Sequence, residues 1–365
     1  MAKIVSLGSA LQDIYLIDHD DFVGGNPSNA FRGDTERGSA SSSAARPWRP
    51  PLGTRKAEGL RAGPTRPEES ITGAQLFTRL EIGTKADIDR VMFETGGGGT
   101  NSAVTFARYG HDVAFIGNIG HDSAGEAILA CLDNENIDSS YVYFAPHKKT
   151  GCSVILLDTK SGERTILTHR GASAKFDNLS ADVLKEIRPD WLYITTMRGD
   201  LKTLEKFLKQ AAELGAKVMW NPGKLELEEP KKVLGLLKYV EVLLVNKKEA
   251  GELVGGTNLR ELLEKLKGYC PVVIITDGGM GAIATDGAEI IRTGLYEDSP
   301  VKDTTGAGDS FGSGFLAAYA AGKKFKDALI FASANSTSVV SRLGAKPGIL
   351  TGKEKLHQMP IENVQ

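Results

Sequence analysis

Short apolar runs alternate with stretches whose apolar positions recur every three to four residues, and this alternation fills most of the 365-residue chain. Residues 3–7, 113–117, 191–195, 217–220, 242–245 and 272–276 are almost continuously apolar, as strands covered on both faces must be. Residues 100–109, 125–135, 179–187, 201–214, 234–237, 248–253, 259–267, 309–321 and 325–340 read as helices. Gly110 and Gly322 stand just past two of them, where a left-handed residue closes a helix. Strands of mixed polarity are expected at 14–17, 75–82, 87–94, 141–144, 153–158 and 165–168, with a hairpin at 282–285 and 289–293. Strands alternating with helices predict an α/β sandwich around a mostly parallel sheet. Ligands of such sheets bind beyond the carboxyl ends of the strands. Asp13, Asn221, Asn246 and the run Thr276-Asp277-Gly278-Gly279 all fall at such ends.

One segment breaks the alternation. Residues 24–70 hold Pro27, Pro47, Pro50, Pro51, Pro64 and Pro67, many Ser, Gly and Arg, and only Phe31, Trp48, Leu52 and Leu60 as large apolar side chains. Too little apolar surface is available there to offset chain entropy, so a disordered insertion is expected, solvated rather than an Arg-rich interaction arm. Over the whole chain the composition is that of a soluble globular protein, with 41% hydrophobic and 25% charged residues. A net charge of −2 gives no reason to expect nucleic acid or an anionic membrane as partner. Cys131, Cys152 and Cys270 lie far apart and read as reduced thiols of a cytoplasmic protein. The apolar run from Ile4 is cut by Gln12 and Asp13, so no signal peptide is expected, and no stretch is apolar enough to span a membrane.

The densest chemistry lies in Asp303-Thr304-Thr305-Gly306-Ala307-Gly308-Asp309-Ser310-Phe311. A glycine-lined turn running into a helix offers backbone N–H groups and the positive end of the helix dipole to an anion. Asp309 would stand beside that anion, where a carboxylate costs stability unless it does chemistry. The combination points to phosphoryl transfer to a hydroxyl, where a base beside the anion is useful. Gly96-Gly97-Gly98-Gly99-Thr100-Asn101 precedes a helix and reads either as a close backbone approach to a ligand or as a hinge with a cap. Asn246-Lys247-Lys248-Glu249 reads either as a pair reaching a metal–phosphate group or as a capping box. No Walker A sequence and no dinucleotide fingerprint occurs.

Taken together, these segments and Gly117-Asn118-Ile119-Gly120-His121-Asp122 resemble the ribokinase-like, pfkB-type carbohydrate kinases. The resemblance covers nearly everything except residues 24–70. It implies a three-layer α/β/α domain with a small β-sheet lid built from segments near 14–23, 71–94 and 141–168. It implies ATP and Mg²⁺, with Asp309 as the base and the backbone of Gly306, Ala307 and Gly308 as the anion hole. It places Asp13, Gly97, Gly98, Asn101, Glu163 and Arg170 against the acceptor. Asn246 and Glu249 would stand near the metal–phosphate group, with Glu249 reaching Mg²⁺ through water. Thr276, Gly278, Ser333 and Asn335 would line the nucleotide pocket. Potassium at Asp303 and Thr305, and a homodimer through the lid, are further expectations of the same kind.

The chain also departs from the pattern. Gly98 stands where several members carry a lysine, and the neighbouring pair His169-Arg170 offers a replacement charge. Ser333 takes the place of an adenine-pocket asparagine, with Asn335 two positions on, and Gly348 takes the place of a serine near the cation loop Arg342–Ala345. Two functions stay open at this point: an ATP-dependent kinase of a hydroxymethyl group on a sugar, sugar acid or nucleoside, and a non-catalytic sugar- or nucleotide-binding regulator with an Arg-rich arm.

Overall fold

Apolar residues on successive positions of one strand go to opposite cores, and this builds the layers. Strand β1 (Lys3–Leu7) sends Ile4 to one core and Val5 and Leu7 to the other. Val242 and Leu244 likewise face one core while Leu243 and Val245 face its counterpart. A strand with both faces dry must read as an unbroken apolar run, which is how these strands read. The computed structural model describes residues 1–18, 88, 90–158, 164–296 and 299–364. The expected insertion at 24–70 and the expected strand at 75–82 lie outside the described residues.

After β1 come β2 (Leu11–Asp18), β3 (Arg90–Gly96), α1 (Gly98–Tyr109), β4 (Asp112–Ile119), α2 (Ser123–Asn134), β5 (Val142–Phe144), β6 (Gly151–Asp158) and β7 (Arg164–His169). The chain continues through α3 (Val183–Ile187), β8 (Trp191–Ile194), α4 (Leu201–Glu213), β9 (Lys217–Trp220), α5 (Lys224–Leu227) and α6 (Pro230–Leu236). Then follow β10 (Val242–Asn246), α7 (Lys247–Val254), α8 (Leu259–Leu266), β11 (Val272–Thr276), β12 (Ala282–Thr285) and β13 (Ile290–Thr293). Helices α9 (Ala307–Ala320) and α10 (Phe325–Val340) and strand β14 (Ile361–Asn363) complete it.

The large sheet runs β14-β13-β12-β11-β10-β9-β8-β1-β4-β5. It is parallel from β11 through β5 and antiparallel from β11 to β14. The α/β/α sandwich read from the sequence is therefore the fold. A second sheet, β3-β2-β6-β7, forms the lid. Its inner side buries Tyr15, Ile17, Ile155 and Leu157 against Met92 and Leu343.

Three local expectations are corrected. Residues 141–144 were expected in the lid, but β5 pairs in parallel with Gly117–Ile119 at the edge of the large sheet. The chain leaving α2 turns back along β4, exchanging Phe115 N–H with the Asp138 carbonyl and Asp138 N–H with Val113, and this carries β5 away from the lid. The helix expected at 179–187 shrinks to α3. Ser180 and Asp182 bond each other and the local backbone, an alternative that competes with a helical start. Strand β14 was not foreseen; it pairs Ile361–Asn363 with Ile291–Thr293.

Candidate active site

The turn before α9 depends on one glycine. Gly306 has φ 77°, and a Cβ there would stand 2.6 Å from the Ala345 methyl, so a side chain is excluded twice. From this left-handed residue the chain enters α9 at Ala307, two residues before the helical start at 309 expected from periodicity. First-turn amides of a helix have no carbonyl behind them. Ala307 N–H leans on the Thr304 carbonyl at 3.3 Å, whereas Gly308 is exposed and a Cβ on it would meet nothing within 4 Å. Of the three expected anion-hole residues, Gly308 fronts open space and Gly306 shapes the turn.

Asp309 lies in that first turn, deep in the protein yet with an opening to solvent. The Asn101 amide donates from Nδ2 to Asp309 Oδ2 at 3.0 Å. Asp309 Oδ1 faces Gly98, 3.1 Å from where a Cβ on that residue would be. Burial pushes the Asp309 carboxyl above its ordinary value, while the Asn101 amide and the Lys346 ammonium pull it partly back.

Helix α1 brings the glycine run to the same place. Gly97 has φ 97° and its Cβ would lie 2.5 Å from the Ser9 carbonyl, so the chain can turn there only without a side chain. Gly98 N–H is bound by the Ser9 hydroxyl at 3.2 Å. On β2, buried Asp13 crowds Gly96, where a Cβ would fall inside its carboxylate. Burial raises the Asp13 carboxyl and the Ser153 hydroxyl lowers it, with Lys346, Asp303 and Asp309 near enough to act on its charge. The structure thus brings Asp13, Gly98, Asn101 and Asp309 together around one polar pocket.

One residue of this pocket went unnoticed in the sequence. Lys346 is buried, 5% exposed, and its Nζ bonds the Asn101 Oδ1 at 2.9 Å, the Thr100 hydroxyl at 3.1 Å and the Thr95 carbonyl at 2.5 Å. Burial pulls its pKa down to about 8, against the upward pull of Cys131, Asp13, Asp309 and Glu94. Lysines are almost always exposed, so nothing in the letter itself announces such a position.

The remaining expected residues divide. Glu163 lies outside the described residues. Arg170, at the end of β7, is partly buried; burial and the nearby Arg198 guanidinium push it down, and Asp13 opposes them. Asn246 and Glu249 form a reciprocal capping box, 2.9 Å from Asn246 Oδ1 to Glu249 N–H and 2.8 Å from Glu249 Oε2 to Asn246 N–H. Burial, with the carboxylates of Glu252 and Glu226, raises the Glu249 carboxyl. Thr276 and Gly278 line, with Asn246, Lys247 and Gly256, an open groove of about 600 Å³.

Two expectations meet side chains already engaged. Asn335 is fully enclosed; it donates to the Ser310 carbonyl at 2.8 Å and accepts from Leu350 N–H at 2.9 Å. Its amide holds α9 against the C-terminal loop, and Asn335 is 0% exposed, so its side chain faces the interior rather than an open groove; Ser333 is buried on the same helix. Asp303 is likewise enclosed. It accepts from Tyr15 O–H at 2.7 Å and Gly344 N–H at 3.1 Å on Oδ2, and from Thr305 N–H at 2.8 Å on Oδ1. The Arg164 Nε stands 3.7 Å from Oδ1.

Comparison with known proteins agrees with this architecture. The profile of the pfkB family carbohydrate kinases matches residues 75–351. A ribokinase of Haemophilus influenzae is 28% identical over 304 residues, spanning 80% of this chain and 91% of that protein. A ribokinase of Bacillus subtilis is 28% identical over 260 residues, 71% of this chain and 85% of that protein. Among solved structures, Arabidopsis thaliana ribokinase complexed with ribose and ATP superposes with a TM-score of 0.69 at 22% identity, covering 96% of each chain. Sinorhizobium meliloti adenosine kinase gives 0.69 at 20% identity, covering 96% of this chain and 97% of that one. The fold, the glycine-lined turns and the family match converge: this chain belongs to the pfkB family of carbohydrate kinases.

Proposed function

We propose that this kinase transfers the γ-phosphoryl group of ATP to a hydroxymethyl group of a sugar, sugar acid or nucleoside, with Asp309 as general base. The carrying observation is the disposition of the Asp309 carboxylate. One oxygen is held by Asn101, and the other is turned toward Gly98 beside the open front of Gly308. A hydroxyl lying over Gly98 would give its proton to Oδ1 as it attacks, an assistance typically worth about 10²–10⁴-fold. Charge growing on the transferred group would meet the first-turn amides of α9. Family membership supports this over the non-catalytic regulator, the second reading of the sequence.

ATP and Mg²⁺ fit the residues present. The groove along Asn246, Gly256, Thr276 and Gly278 is open and glycine-lined. Mg²⁺ typically keeps several waters and is held by phosphates and one or two carboxylates, where it offsets phosphate charge. Glu249 fits such a contact because only Oε2 is given to the capping box. Potassium at Asp303 is disfavoured: its carboxylate accepts from Tyr15, Gly344 and Thr305 and stands beside the Arg164 guanidinium, whose positive charge opposes a second cation.

Two further features refine the reading. Neither Arg170 nor Arg198 has a carboxylate ion-pair partner among the described residues, and the two guanidiniums stand near enough to repel each other beside Asp13. An acceptor carrying its own carboxylate or phosphate would relieve that repulsion. The outer face of the lid carries Val91, Phe93 and Leu167, from 47% to 65% exposed, a surface suited to a second copy of the chain. An ATP-consumption assay across neutral sugars, sugar acids, sugar phosphates and nucleosides tests the proposal. Turnover with at least one acceptor and its loss in Asp309→Asn are expected; full turnover in that variant would remove Asp309 as base.

A further inference from the structure

The Asn101 amide can bond Asp309 in only one way, because of what stands behind it. Lys346 Nζ carries donors alone, so the Asn101 atom 2.9 Å from it must be the oxygen. The amide nitrogen is then forced toward Asp309, 3.0 Å from Oδ2. The other two ammonium protons go to the Thr100 hydroxyl and the Thr95 carbonyl. All three donors of the ammonium are therefore used, and Lys346 makes no bond of its own to Asp309.

The lysine is itself fixed from the main chain. Its carbonyl accepts from Arg108 Nη1 at 2.8 Å, and Arg108 is clamped by both oxygens of Glu135. Two residues earlier, Gly344 N–H is bound to Asp303. A loop held at these points delivers the ammonium to a set position between lid strand β3 and helix α1. Ionisable groups reach this ammonium from every side: Asp13 on β2, Glu94 on β3, Cys131 on α2 and Asp309 on α9. The desolvation cost of a buried cation is offset in part here by these carboxylates and by its three hydrogen bonds.

We propose that Lys346 is a positioning residue for phosphoryl transfer: it locks the Asn101 amide so that Asp309 Oδ2 is held and Oδ1 alone is offered to the acceptor hydroxyl. The proposal rests on Asp309 being the base. It gives Lys346 two separable effects. Its hydrogen bond sets the geometry of Asn101, and its charge holds down the proton affinity of Asp309.

Three variants separate these effects. Lys346→Met removes donor and charge, Lys346→Gln keeps a donor for Asn101 Oδ1 without the charge, and Asp309→Asn tests the base. The first readout is the carboxyl titration of Asp309 followed by carbon NMR in the ligand-free protein, assigned by its absence in Asp309→Asn. The second is kcat against pH, with ATP and the best acceptor of the panel. Both Lys346 variants should raise the Asp309 titration by about one pH unit, the size expected on losing one nearby opposite charge. Lys346→Met should lower kcat about 10–100-fold through the displaced amide, with KM for ATP nearly unchanged. Lys346→Gln should recover most of that loss above the shifted acid limb.

An unchanged Asp309 titration in Lys346→Gln overturns the proposal, and so does an unchanged kcat in Lys346→Met. A Gln variant that folds but is as slow as the Met variant at every pH also overturns it. If the Met variant does not fold, the Gln variant alone decides, by its titration and its recovered rate. An active Asp309→Asn instead removes the base reading, whatever Lys346 does.

Discussion

Asn101 Nδ2 donates to Asp309 Oδ2 across 3.0 Å, joining the first turn of α1 to the first turn of α9 although 208 residues separate the two in sequence. Both helices begin at glycine-rich turns, so both present backbone amides to the same space. The hydrogen bond holds a carboxylate exactly where the two turns meet, and the reactivity of the site follows from what that carboxylate experiences.

Asp309→Asn should therefore separate activity from stability. With the proposed base removed, kcat should fall by about 10²–10⁴-fold. Stability should move the other way. Burial raises the folded-state pKa of Asp309, so the folded protein holds this proton more tightly than the unfolded chain does. Its stabilising effect is present at low pH and is lost as pH rises through the folded value. At neutral pH the ionised carboxylate is a cost, which a neutral amide of the same shape removes. Melting curves at pH 7 should show a Tm raised by about 1–3 °C; a lowered Tm would mean the carboxylate is structurally needed.

The pH–rate profile should be bell-shaped for reasons readable in the pocket. As the proposed base, Asp309 has to be ionised, so the acid limb should follow it and be shifted upward because burial raises its pKa. The alkaline limb follows Lys346, which loses its third donor and its charge near the value of about 8 set by burial. Activity should thus decline above pH 8, and Lys346→Gln should flatten that decline. For stability the lysine acts in the opposite sense to Asp309. Its folded pKa is lowered, so between about 8 and the ordinary lysine value the unfolded chain binds more protons, and stability should rise with pH across that window. Denaturant melts at pH 7.5 and 9.5, compared between wild type and Lys346→Gln, check the sign.

Gly98→Ala tests the space left for the acceptor. An added methyl would lie 3.1 Å from Asp309 Oδ1 and 3.2 Å from the Thr195 side chain, tighter than ordinary packing and directly over the oxygen assigned to the acceptor. The backbone of Gly98 is helical, so the substitution should not disturb α1. Steady-state kinetics should show KM for the acceptor raised or kcat lowered, by about tenfold or more, with KM for ATP nearly unchanged. Equal kinetics would place the acceptor elsewhere.

The sequence exposed those parts of this molecule that depend on local pattern. The strands around Val242–Asn246 and Val272–Thr276 announce themselves because both their faces are dry, and the α9 turn because glycine and aspartate have few other reasons to stand in that order. Long-range closure stayed hidden. Lys346 looks like any surface lysine until Arg108, Thr95 and Asn101 close over it from sites 238 to 251 residues away. Asn335 invited a ligand-binding reading because an exposed and a buried amide are the same letter; only its bonds to Ser310 and Leu350 show it holding helix to loop. Residues 142–144 have the mixed polarity of a lid strand, and an edge strand of the main sheet has it too.

The last prediction concerns the tie between lid and anion turn. Tyr15 on lid strand β2 is fully buried and donates its hydroxyl to Asp303 Oδ2 at 2.7 Å. Burial and the adjacent Asp303 charge raise the pKa of this phenol, so it remains a donor across the working pH range. The bond links the lid directly to the residue that opens the Asp303–Phe311 turn. Tyr15→Phe deletes only that hydroxyl and leaves one lone pair of a buried carboxylate unmatched, a loss of about 1.5–3 kcal/mol in unfolding free energy. Denaturant titration measures that loss. The same set of donors makes an independent forecast. Tyr15, Gly344 and Thr305 donate to Asp303 and the Arg164 guanidinium stands beside it, so a monovalent cation would meet a positive charge there. Replacing K⁺ by Na⁺ or by a bulky organic cation at constant ionic strength should leave kcat unchanged within about twofold, well below the tenfold that 1.4 kcal/mol would produce. Strong activation by K⁺ alone would show that the ion displaces the Arg164 guanidinium, which stands 3.7 Å from Asp303 Oδ1.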